Sequence, residues 1–155
     1  MYTVDAMAGT LTHSPADVLR WALVALGVAA DPEADAAWPA YVSREPSLPD
    51  DCLTVQGAEG VLDGFNMPAK DVSEHHGCQV RVRARLYEQG RAKARAVCLA
   101  LDGMHRLAVS VTAGGAATYR VTGRRTGDVI EGRPETFSDR ETFFINALLD
   151  VTQTG

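Results

Sequence analysis

Glu74, His75, His76 and Cys78 stand close together and are side chains of the types that bind zinc or support nucleophilic catalysis. Their spacing suits neither. Adjacent histidines in an extended segment point apart, Cys78 falls on the apolar face of the strand that follows, and no second cysteine or histidine pair stands at metal-site spacing. The segment reads as a polar loop entering a strand, with no metal ligand and no catalytic residue. His13, Ser14 and Asp17 carry the letters of a hydrolase triad, but Ser14 stands where a helix needs its cap, and nearness in sequence supplies no geometry. The glycines of GAEGVLDG, from Gly57 to Gly64, do not form a phosphate loop. The lysine followed by serine or threonine is missing and no helix begins after them, so no cofactor-binding residue is assigned.

A basic series, Arg81, Arg83, Arg85, Arg91, Lys93 and Arg95, is the stronger chemical signal. On a strand the first three stand in a row on one face, a spacing that could track phosphates. Against nucleic acid, the chain carries a net charge of −5 and no aromatic residue alternates with these arginines to stack bases. The row serves equally well as a solvated face or as a contact for carboxylates of a neighbouring subunit. Charge is split along the chain: residues 1–76 are −9 and residues 77–155 are +4, an asymmetry suited to complementary patches across a subunit boundary.

The elements that position these residues follow from period and punctuation. In residues 78–86, Cys78, Val80, Val82, Ala84 and Leu86 alternate with Gln79, Arg81, Arg83 and Arg85, the pattern of a half-buried strand with Val80 and Val82 in the core and Arg81 and Arg83 outside it. After a break at 87–90, Ala94, Val97, Cys98 and Leu101 keep helical spacing, and Gly103 is placed to stop the helix in a left-handed conformation. An earlier helix starts at Ser14 as cap and Pro15 as first residue, with a stripe through Val18, Trp21, Ala22 and Ala25 broadened by Leu19, Leu23 and Leu26, and Gly27 can end it.

Residues 38–44 read as a short strand at a sheet edge because of Pro39, and residues 51–57 as a short strand whose exit is set by Gly57. Residues 58–76 have no sustained period and read as a long projecting loop, in which Val61, Leu62, Phe65 and Met67 are the apolar residues that order on docking. Two alternating runs, 105–112 and 117–122, flank a glycine turn at 113–116. The last run alternates Phe143, Ile145, Ala147, Leu149 and Val151 against a second face that holds Phe144 and Leu148. A strand apolar on both faces is covered either by its own domain or by a partner.

At 155 residues the chain fits one domain, with residues 1–13 as an extended N-terminal arm. Cys52, Cys78 and Cys98 read as small core hydrophobes in a reducing compartment. Neither a targeting segment nor a membrane span is evident, which points to a soluble protein made in a cytoplasm.

The order of SPADVLRWALVALG, DCLTVQGAEGVLDG, HGCQVRVRARLYEQGRAKARAVCLALDG and RETFFINALLDV resembles the minor capsid or tail-terminator (tail-completion) proteins of long-tailed bacteriophages, from about Ser14 to Val151. The resemblance implies an α+β fold: a single domain with a mainly antiparallel sheet and two helices packed on one face. It implies a non-enzymatic virion assembly protein, six-fold in relatives, whose ring caps the tail tube and joins the tail to the head–neck connector. Implied partners are further copies of itself, the tail tube protein and a head-completion or neck protein, with DNA passing through the lumen without sequence-specific contact. The resemblance also implies no cofactor and a place at the head–tail junction of a virion made in a bacterial host. Arg81, Arg83, Arg85, Phe144 and Leu148 are then the expected interface residues. Another neck or head-completion protein of the same virion and a basic-faced nucleic-acid-binding domain are the alternatives, with a small enzyme using the Glu74 to Cys78 segment as a third hypothesis.

Overall fold

The computed structural model describes residues 11–66, 71–132 and 140–154. Ser14 caps the first helix, α1 (Pro15–Ala25): its Oγ accepts from the Asp17 N–H, and Pro15 occupies a position whose missing N–H is no loss. Gly27, at φ +76°, turns the chain away. The buried stripe is Ala16, Val18, Leu19, Ala22 and Leu23, so the helix is rotated from the expected register and Ala25 and Leu26 face outward. A 3-10 turn, Pro32–Ala34, leads to a short strand, β1 (Ala40–Val42).

The next two strands correct the sequence reading most. β2 (Cys52–Asn66) does not end at Gly57, and β3 (Asp71–Ala84) begins well before Cys78. The stretch expected as a loop over 58–76 is therefore largely hairpin ladder, interrupted by register shifts between Ala58 and Val61 and between Leu62 and Gly64. Those irregularities explain the missing period, because each bulge resets which residues share a face. Met67 lies outside the described residues, and so do the side chains of Val61, Leu62 and Phe65.

The helix α2 (Tyr87–Asp102) begins where a break was expected. Ala94, Val97, Cys98 and Leu101 are buried as the spacing requires, but Leu86 is exposed. Gly103 keeps a right-handed φ of −92°, and the left-handed residue after the helix is Arg106. Gly90 is buried because a side chain cannot fit there: a Cβ would lie 2.6 Å from Phe143 Cε2 and 2.9 Å from Ala84 Cβ. β4 (Leu107–Val111) and β5 (Ala117–Arg125) form the expected hairpin, turned by Gly114 and Gly115 at positive φ. β6 (Ile130–Glu131) is a fragment against β7 (Glu141–Gln153).

Among the described residues the strands join one mixed, curled sheet in the order β1-β2-β3-β7-β5-β4, with β6 also on β7; β1 and β2 pair in parallel and the other strand pairs are antiparallel. The molecule is an α+β domain with both helices against one face of the sheet: α1 on β1 to β4, α2 on β3, β5 and β7. Between them lies the core, with Val80, Val82, Phe143, Ile145, Leu149, Leu53 and Val55 fully or almost fully buried, each side chain stabilising the fold by about 1.5–3 kcal/mol. The segment 11–13, expected as part of an extended arm, is fastened to the domain. The Thr12 N–H donates to Gln153 Oε1 at 2.9 Å, and buried His13 sits 2.6 Å from the Tyr119 hydroxyl and 2.8 Å from the Ala113 carbonyl.

Candidate functional site

The face of the sheet away from the helices carries the side chains singled out for interaction. Paired residues in a ladder share a face, so the register assembles rows across β2, β3 and β7: Cys52, Arg83 and Thr142; Thr54, Arg81 and Phe144; Gln56, Gln79 and Asn146. The last row is a chain of amides, with Gln56 Nε2 donating to Gln79 Oε1 at 3.1 Å and Gln79 Nε2 to Asn146 Oδ1 at 3.0 Å.

Residues 43–51 cross part of this face as a strap, and Arg83 holds it. The Arg83 Nε donates to the Asp50 carbonyl at 3.1 Å and Nη2 to the carbonyls of Pro49 at 2.6 Å and Ser47 at 3.4 Å. Arg140 adds a bond to the Ser47 carbonyl at 2.6 Å and an ion pair with Asp50 at 2.9 Å. Glu45 of the strap reaches Arg81 at 3.4 Å and Arg83 at 3.6 Å. Arg83 is thus only 4% exposed. The expectation that it stands outside the packed interior, available to a partner, is overturned: the strap covers it.

Cys52 lies in the same row, buried under the strap rather than in the main core. Burial pushes its thiol up to about 11 against the pull of Arg83, and burial alone pushes Cys78, on the helix-facing side, up to about 12. Both are thiols at neutral pH, a poor state for nucleophilic chemistry.

The remaining expected interface residues divide. Arg81 and Phe144 are brought together, the guanidinium 5.5 Å from the ring centre. Phe144 is half-buried and also flanked by β6, whose Ile130 is its ladder partner, and Leu148 is half-buried beside Gly77 and Arg124. Arg85 stays exposed beyond the strand end, beside a cleft lined by Trp38, Pro39, Asp50 and Asp51. The sequence reading passed over a second basic group on this face: exposed Arg120 and Arg124 of β5, with Arg106 beside them. Alternation in 117–125 carried that signal, since Tyr119 and Val121 face the core and Arg120 and Arg124 must face away.

The residues with chemical potential are dispersed. His75 pairs with Asp150 through Nδ1, while His76 lines a separate cleft with Ser14, Ser43 and Gln56 near the start of α1. The side chain of Glu74 lies outside the described residues. Ser14 is committed to its cap, Asp17 to Arg20 at 2.7 Å, and His13 to Tyr119, so the three do not converge. Among the described residues no group of three or more histidine, cysteine, aspartate or glutamate side chains is placed to hold a metal ion. No protein-family model and no curated protein matches the chain.

Proposed function

We propose that this chain is a non-enzymatic assembly protein of a long-tailed bacteriophage virion, forming a ring, six-fold as in the proteins it resembles, that caps the tail tube and joins it to the neck. Its partners on this reading are further copies of itself, the tail tube protein and a head-completion protein, with DNA passing through the lumen unread. The resemblance along 14–151 motivates the reading, and the α+β domain with two helices on one sheet face is the fold that resemblance implies.

The observation that supports it most is the β2–β3 hairpin. β7 joins β3 only from His76 onward and β1 joins β2 only at 53–55, so the ladder from Val61–His75 to Asn66–Asp71 has no third strand among the described residues. A two-stranded ribbon is marginal alone in water and gains most when its edges or faces dock on another surface. An assembly protein has a use for such an arm.

The test is electron microscopy of tubes polymerised from the tail tube protein of the same virus, with and without this chain. The expected result is tubes closed at one end by a ring and arrested in growth. Tubes of unrestricted length with bare ends at saturating protein would refute the reading.

A further inference from the structure

Among the described residues, a basic group and an acidic group of side chains each lack an opposite charge beside them, and they lie at different places in the fold. On the sheet face away from the helices, β5 presents Arg120 and Arg124, about 13 Å apart along the strand. Arg106 adjoins them: its N–H donates to Thr122 Oγ1 at 3.0 Å and its carbonyl accepts from Arg120 Nη1 at 3.5 Å. All three side chains are exposed, and none has an ion-pair partner among the described residues. Asp150, on the same face, is taken by His75. Arg120 is flanked across the ladder by Ala108 and Thr152, both too short to cover its guanidinium, and Arg124 by half-buried Leu148, which carries no charge to pair with it.

The second group is acidic. Asp31, Glu33 and Asp35 bracket the 3-10 turn, Glu33 and Asp35 exposed, and no cation pairs with any of them among the described residues. This turn leads into β1, one edge of the sheet, whereas β5 lies next to β4, the other edge. We propose that a second copy of this chain docks its 31–35 turn on the Arg106, Arg120 and Arg124 face, in a head-to-tail contact. Two different surfaces meeting in this way propagate from copy to copy and close into a ring if the rotation allows. The contact deepens the assembly reading and rests on it. It also moves the basic side of the interface from Arg81 and Arg83, which the strap's Glu45 already engages, to arginines left free.

The experiment is sedimentation of the full chain over a range of concentration and salt. Wild type should self-associate, more weakly as salt rises. Arg120→Glu with Arg124→Glu should weaken association about tenfold or more, and so should Glu33→Lys with Asp35→Lys. A mixture of the two variants should recover it, because each supplies the surface the other lost. Melting temperatures within a few degrees of wild type keep misfolding out of the comparison, these sites being exposed. Association that survives both reversals, or a mixture that fails to recover, overturns this contact and leaves the assembly reading standing. Loss of duplex-DNA binding in the arginine variant, with self-association intact, assigns the face to nucleic acid and overturns the contact too. A chain that is monomeric at every concentration, alone and on tail tubes, overturns both.

Discussion

Arg83 donates to three backbone carbonyls of the strap. Removing it strands those acceptors and leaves Glu45 with Arg81 alone, so Arg83→Ala should cost about 2–4 kcal/mol, read as a melting temperature lower by roughly 5–15 °C. Arg85→Ala, on an exposed side chain, should move it by only about 2 °C. Equal effects would show that the strap is not held this way. The alternation of 78–86 told which side of the strand each arginine takes, but not what covers that side, because the covering segment lies far upstream and has no period of its own. The buried thiols give a second residue-scale expectation. Unfolded, Cys52 and Cys78 ionise near 9.0; folded, they hold their protons to about 11 and 12. Between those values the folded chain binds more protons, so stability falls as pH rises above 9, by up to about 1.4 kcal/mol per pH unit for each thiol. Lys93, held below its ordinary value by burial, acts with the opposite sign toward its usual range. Comparing urea midpoints at pH 8 and pH 10 for wild type and Cys78→Ala isolates the thiol, and the variant should lose less stability over that interval.

At the scale of elements, Gly90 sets how closely α2 approaches β3 and β7. Alanine there gains about 1 kcal/mol of helix propensity, but its Cβ meets Phe143 and Ala84 at 2.6 and 2.9 Å. Overpacking of that kind costs about 1–3 kcal/mol, so Gly90→Ala should leave the protein destabilised by about 1 kcal/mol in chemical denaturation. A gain in stability would mean that the helix shifts freely on the sheet. Elements with an unbroken period were legible in advance: the α2 stripe, the strand from Cys78 to Ala84, the β4–β5 hairpin and the two faces of β7. The β2–β3 ribbon was not, because its bulges and glycines erased the alternation although its backbone stays paired. The α1 stripe was read a fraction of a turn away, since Leu19, Leu23 and Leu26 fit several registers and only the buried partners choose among them.

For the whole molecule, the periods mark two helices and a set of strands and the resemblance implies their α+β arrangement, but neither dictates a strand order that places β7, last in sequence, between β3 and β5. That order decides which side chains share the outer face, and so which charges stay free. It separates the acidic turn before β1 from the arginines of β5, an arrangement suited to contact between copies rather than within one. Residues read singly in sequence could not reveal this, because Arg81, Arg83 and Arg120 look alike until the strap and Glu45 engage two of them. The proposal that this chain works as a ring comes down to stoichiometry. Its most direct test is the native mass of the purified protein, alone and bound to tail tubes. A six-fold ring gives a species of six times 16.6 kDa, at least on the tubes; a monomer of 16.6 kDa under both conditions would contradict it.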